Sequence, residues 1–236
     1  MGEQAVIIAG EPCCLRPAGT LWLPQHGTLV VSDLHLEKGS AYAARGQFLP
    51  PYDTRETLDR LLVEVVETGA TRLVLLGDSL HDMGALSRIP VAEREAVLDL
   101  AAHLDLVWIT GNHDPDGGAA FGGLSIEALQ LGRLVLRHEP LPGPAPGEVA
   151  GHLHPCARVL GPAGSVRRPC FVSDGHRLIL PAFGAYTGGL SVTDAAFGAL
   201  FARPPVAYML GKRVIPVGFD RLAARRQAPG RPQKHR

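Results

Sequence analysis

The chain has 236 residues, 46% of them hydrophobic, and its 23 basic residues balance 23 acidic ones. That length and apolar content suffice for one large core and exclude a chain too polar to fold. The balance is an average: residues 221–236 hold six basic residues and no acid, which leaves 17 basic against 23 acidic over residues 1–220. No apolar run approaches the ~20 residues of a membrane helix. The start also lacks the basic-then-apolar pattern of a signal peptide, so a cytoplasmic protein is expected. The four cysteines, Cys13, Cys14, Cys156 and Cys170, form no CxxC pair and read as reduced thiols.

In chain order, the first 27 residues read as short β segments, "AVIIAG" and "TLWLP", leading into the apolar strand "TLVVS". From Thr54 the apolar period becomes 3.6, with Leu58, Leu61, Leu62, Val65 and Val66 on one face. This predicts a helix over 54–68, with Asp53 and Thr54 as candidate N-caps and Gly69 as its stop. "RLVLLGD" (72–78) is the next buried strand, "VAEREAVLDLAAHL" a second helix, and "DLVWITGNHD" (105–114) a third strand running into polar residues. Beyond residue 130 short strands alternate with turns, from "RLVLRHE" and "GEVAGHLHP" to "PCFVSDGHRLILPAF" and "VAYMLGKRVIPV". Strand–helix units followed by hairpins predict two sheets packed in one domain over 1–219, with 220–236 as a basic, disordered tail.

The chemistry lies in five segments, each following an apolar strand: Asp33-x-His35, "GDSLHD" (77–82), "GNHD" (111–114), His138 in "RHEP", and "GHLHP" (151–155). In open α/β sheets, sites are built at this carboxyl edge. Asp, Asn and His without thiolate suit a borderline divalent cation such as manganese, iron or zinc. There are more ligands than one cation needs, and a pair ~3.5–4 Å apart hydrolyses phosphoesters.

The ordered set DxH, GDxxH, GNHD, H and GHxH resembles the calcineurin-like metallophosphoesterases. That resemblance implies a four-layer α/β/β/α sandwich of two mixed sheets flanked by helices. It also implies that Asp33, His35 and His154 hold one metal and Asn112, His138 and His152 the other, with Asp78 bridging. His113 would protonate the leaving oxygen, or steady the charge, after in-line attack of a metal-bridging hydroxide. Phosphoprotein phosphatases of this superfamily carry Asp three residues after the bridging Asp. This chain carries His81, which is similar to the nuclease branch and implies a second catalytic imidazole.

"SDLHLEKG", "ARGQFLPPYDTRETLDRL" (44–61), "GNHD", "GHLHP" and "LPAFGAYTGGLSV" (180–192) are similar to bacterial DNA-ligase-associated metallophosphoesterases of the PdeM type. This implies a manganese-dependent DNA endonuclease or phosphodiesterase of DNA repair, with an ATP-dependent DNA ligase and a helicase as partners and no membrane. The alternatives are an enzyme for small or cyclic nucleotides, and a non-catalytic scaffold. His26, His103, His176 and His235 read as solvated or structural. Lys38, Arg45 and Arg88 are either phosphate contacts or solvated charges.

Overall fold

The structure, a computed structural model, describes residues 2–114, 118–161 and 164–223. The first sheet follows the chain: β1 (Gln4–Ile8), β2 (Glu11–Leu15), β3 (Leu21–Leu23), β4 (Thr28–Val31), β5 (Arg72–Leu76), β6 (Asp105–Ile109) and β7 (Leu124–Ile126). Its first four strands are antiparallel neighbours, and β4 to β7 run parallel. The helices are α1 (Lys38–Ala43), α2 (Asp53–Thr68), α3 (Ala85–Arg88), α4 (Val91–His103) and α5 (Ala195–Gly198). α1 and α2 lie between β4 and β5 in the chain, and α3 and α4 between β5 and β6.

The second, nine-stranded sheet holds β8 (Ala128–Leu131), β9 (Leu134–Arg137), β10 (Glu148–Ala150), β11 (Pro155–Gly161), β12 (Gly164–Ser173), β13 (Leu178–Ile179), β14 (Leu190–Ser191), β15 (Val206–Met209) and β16 (Ile215–Gly218). Alternation along the strands sorts the core. Val30, Val74, Leu76, Val107 and Ile109 point between the sheets, where they meet Leu134, Leu136, Val149, Phe171 and Leu178. The intervening Leu29, Val31, Leu73, Leu75, Leu106 and Trp108 face Leu58, Leu61 and Val97 of the helices. Strands covered on both faces read as unbroken apolar runs, which is why "TLVVS" and "RLVLL" show no polar alternation. Burial of each such side chain stabilises the fold by roughly 1.5–3 kcal/mol.

Two sequence expectations, both about α2, are corrected. Leu62 and Val66 of α2 are 52% and 72% exposed, and the buried face instead carries Thr54, Thr57, Leu58, Leu61 and Glu64. Asp53 and Thr54 do not cap α2, which begins at Asp53 after Tyr52; both reach across to the loop after β4. The fourth layer is reduced to one turn, α5, over Ala150, Ile179 and Leu200. Gly69 does end α2, in the left-handed conformation with its N–H on the Val65 carbonyl.

Packing continues to Ala223, whose N–H donates to the Arg158 carbonyl. The rest of the basic tail lies outside the described residues. Among the described residues the four cysteines are free, and no helix is long and apolar enough to cross a membrane.

Candidate metal centre

All five motif segments leave the carboxyl ends of neighbouring parallel strands. Asp33 and His35 follow β4, Asp78 follows β5, and Asn112 and His113 follow β6; His138 follows β9, and His152 and His154 follow β10. The first two loops zip together: the N–H groups of Asp33, His35 and Leu36 donate to the carbonyls of Gly77, Asp78 and Ser79. The backbone is bent to deliver these side chains. Asp33, His35, Asp78, His152 and His154 sit at φ 45–68°. Ala9 and Glu37 are the only other non-glycine residues there among the described residues. Each such residue costs on the order of 1–3 kcal/mol and persists because surrounding hydrogen bonds impose it.

Two groups of ligand atoms result. Asp33 Oδ1 lies 3.2 Å from His154 Nε2, which lies 3.3 Å from His35 Nε2. His138 Nε2 lies 3.0 Å from Asn112 Oδ1 and 3.2 Å from His152 Nδ1, itself 3.1 Å from Asn112 Oδ1. Ligands ~2.1 Å from one cation stand about 3.0–3.4 Å from each other, so these are coordination spacings. Asp78 joins the groups, with Oδ1 3.4 Å from His138 Nε2 and Oδ2 3.9 Å from His35 Nε2.

The donor set fits divalent cations. Asp33 and Asp78 are buried and, among the described residues, pair with no Lys or Arg. Asp33 Oδ1 is also buried without a hydrogen-bond donor. Asp33 Oδ2, by contrast, accepts from the Ser32 hydroxyl and the His152 N–H, which fixes the carboxylate plane. His138 Nδ1 lies 3.0 Å from the Leu76 carbonyl and donates to it, leaving the Nε2 lone pair for a cation.

Electrostatics agree. Burial pulls His35 down to about 3, keeping it neutral, although the Asp33 charge opposes this. Burial acts against charge on Asp78 and His138 alike, but the bond between them outweighs it, holding Asp78 at about 2 and raising His138 to about 9. The site therefore demands positive charge, which a cation supplies when it displaces that proton.

His113 stands beside the ligands. Its Nδ1–H donates to the His81 carbonyl at 2.9 Å, and its Nε2 is 4.0 Å from Asp78 Oδ2. The His81 ring stacks on His113 with centroids 5.7 Å apart, at the same separation from His35, and burial lowers its pKa. The His81 backbone thus orients His113, a role its residue type does not reveal.

Several positioning residues surround the site. Asp114 clamps two motif loops: Oδ2 accepts from the Ser79 and Leu80 N–H groups and Oδ1 from Gly111. Burial raises its pKa to about 6 despite those bonds. The first turn of α2 braces two more loops. Asp53 accepts from the Gly39 N–H, Thr54 from Glu37, and Thr57 from Ala185. Arg88 is a brace as well, bonded to Asp82 and Ser40.

Two glycines allow close approach. A Cβ on Gly77 would overlap the His138 ring, and one on Gly184 the Leu34 carbonyl. Lys38 is half-buried and Arg45 exposed; both charges act on His81. The remaining described histidines lie elsewhere: His26 near Glu11, His103 on its own helix, and His176 in an exposed turn. His235 lies outside the described residues.

A mixed two-sheet sandwich with two groups of ligand-type side chains around one carboxylate is the arrangement of a metal-dependent phosphoester hydrolase. The sequence profile of the calcineurin-like phosphoesterases matches residues 27–180, and the chain belongs to that family of metal-dependent hydrolases. The crystal structure of Pseudomonas putida nuclease MPE is similar with a TM-score of 0.69 and 29% identity, over 91% of this chain and 100% of that one. Yfce, a phosphoesterase from E. coli, is similar at 17% identity and TM-score 0.42, over 81% of this chain and 98% of that one. No curated protein matches.

Proposed function

We propose that this protein is a two-metal phosphodiesterase that cleaves DNA, is loaded with manganese, and belongs to the ligase-associated branch. The observation that carries the reading is Asp78, whose two oxygens face the two ligand groups while His113 Nε2 lies 4.0 Å away. Similarity to the Pseudomonas putida nuclease over most of both chains favours a polymer. So does His81 where phosphoprotein phosphatases carry Asp. Exposed Phe48 follows Gln47, whose N–H returns to the Tyr42 carbonyl, and the Tyr42 ring lies 6.1 Å from His81; such a ring suits base stacking. Four free cysteines suit a reducing cytoplasm. A ligase and a helicase as partners in repair belong to the same proposal, testable by co-purification.

Bound between these groups, two divalent cations neutralise phosphoryl charge and acidify water. Asp33, His35, His154 and Asp78 would hold one, and Asp78, Asn112, His138 and His152 the other. His113, its Nδ1–H fixed on the His81 carbonyl, presents Nε2 to the leaving oxygen and, as imidazolium, donates its proton there.

The test is metal-stripped protein given back manganese, then assayed on single-stranded DNA, duplex DNA and bis-p-nitrophenyl phosphate, with Asp78→Ala as control. Manganese-dependent cutting of DNA that the variant lacks is expected. Turnover of the small diester with DNA untouched would move the substrate to small nucleotides.

A further inference from the structure

The hairpin β11–β12 starts at the site, since Pro155 follows the ligand His154 directly. Residues 155–173 contain Arg158, Arg167 and Arg168 and no acid. Arg158 and Arg167 are direct cross-strand partners, so their side chains share one face. That face also carries Pro169 and Phe171, and Phe171 packs between the sheets; the opposite face carries Ala157, Cys170 and Val172, buried against Val192, Ala207 and Met209.

The Arg167 guanidinium is held by the Gly189 carbonyl at 2.6 Å, and Leu190 N–H donates to the His154 carbonyl. One arginine of the pair is therefore fixed two backbone links from a metal-ligand candidate. Its partner Arg158 donates to the Ser165 hydroxyl, and among the described residues neither arginine forms an ion pair. Like charges directly opposite on a hairpin are destabilising. Two uncompensated cations kept together beside a phosphoester centre call for an anion.

We infer that Arg158 and Arg167 form a track for the sugar–phosphate backbone of a nucleic-acid strand whose scissile phosphate sits at the metal centre. This inference rests on the proposed action on DNA. Arg158 lies four positions after His154, about 13 Å of extended chain. A mononucleotide in the site does not span that distance, and a strand several nucleotides long does. The pair thus selects polymer over monomer without reading bases. The Ala223 N–H donates to the Arg158 carbonyl, so the described residues end at this hairpin.

The test compares wild type, Arg158→Gln/Arg167→Gln, the charge-keeping Arg158→Lys/Arg167→Lys, and Arg55→Gln/Arg133→Gln as an equal charge loss elsewhere. Fluorescence anisotropy with a single-stranded 20-mer is read against salt, alongside turnover of bis-p-nitrophenyl phosphate. Each lost phosphate contact lowers the salt slope by ~0.7, so the glutamine pair should lose about 1.4. Affinity should fall on the order of tenfold, with the small diester unaffected and the lysine pair close to wild type.

An unchanged slope with DNA still cut by wild type would overturn the track and leave the nuclease reading standing. An equal loss in Arg55→Gln/Arg133→Gln would overturn it too, as would a loss of small-diester turnover in the glutamine pair. Wild type that hydrolyses the diester but neither binds nor cuts DNA would end both.

Discussion

His113 and Asp78 are joined through the backbone as well as across the site: the His113 N–H donates to Asp78 Oδ1 at 2.9 Å, while its Nε2 stands 4.0 Å from Asp78 Oδ2. The Asp78 carboxylate is thus held by a group that survives side-chain replacement. Removing the imidazole and removing the carboxylate should have different consequences.

His113→Ala should keep its metal and lose on the order of 100-fold or more in turnover. Asp78→Ala should lose both. Metal analysis beside steady-state kinetics separates them, and full activity in His113→Ala would remove its role as proton donor.

Cations that bind only the folded chain stabilise it. At a hundredfold excess over Kd each saturated site adds about 2.7 kcal/mol, roughly a 5–10 °C rise in Tm for a chain this long. Calorimetry with and without manganese should show that rise for each site in wild type and the loss of one site's share in Asp33→Ala.

Away from the site, Arg16 is buried against Glu64, with Nε–Oε2 2.5 Å and Nη2–Oε1 3.2 Å, and also meets Glu67. Thr20 donates to the same Glu64 carboxylate. Glu64→Ala leaves the guanidinium with its outer partners Glu3 and Glu67 alone and should cost about 1–3 kcal/mol in urea unfolding. Activity per folded molecule should hold.

Asp174 accepts from the N–H groups of His176, Arg177 and Ala202. Burial opposes its charge, yet these bonds hold its pKa below the ordinary 3.8. A depressed carboxylate contributes stability that is present above the unfolded pKa and lost as pH falls through the folded one. Asp174→Asn should therefore flatten the stability decline below about pH 4, seen as a smaller difference between midpoints at pH 5 and pH 3.

The clustering of the candidate ligands was legible in the sequence because each follows an apolar strand, and strand ends in a parallel sheet converge whatever the loop geometry. What it hid is side-chain placement within elements. The 3.6 period of α2 admits two neighbouring faces, and Leu62 and Val66 lie on the one left exposed. The face chosen carries Thr54 and Thr57 because the loops after β4 and before β14 need acceptors there. Asp53 reads as an N-cap locally, yet its carboxylate goes to Gly39, fourteen residues earlier. Likewise Asp114, which looks like the end of a motif, is a clamp between strands β5 and β6, visible only once their loops are adjacent. The left-handed φ values of five ligands have no local signal, since none is glycine.

The central claim is a pair of cations sharing Asp78. Manganese titration of metal-free protein, followed by electron paramagnetic resonance, tests it most directly. The expected result is two equivalents bound per chain with a spin-coupled signal in wild type, and no coupled signal in Asp78→Ala. A single equivalent, or two equivalents with no coupling between them, would contradict the shared-carboxylate centre.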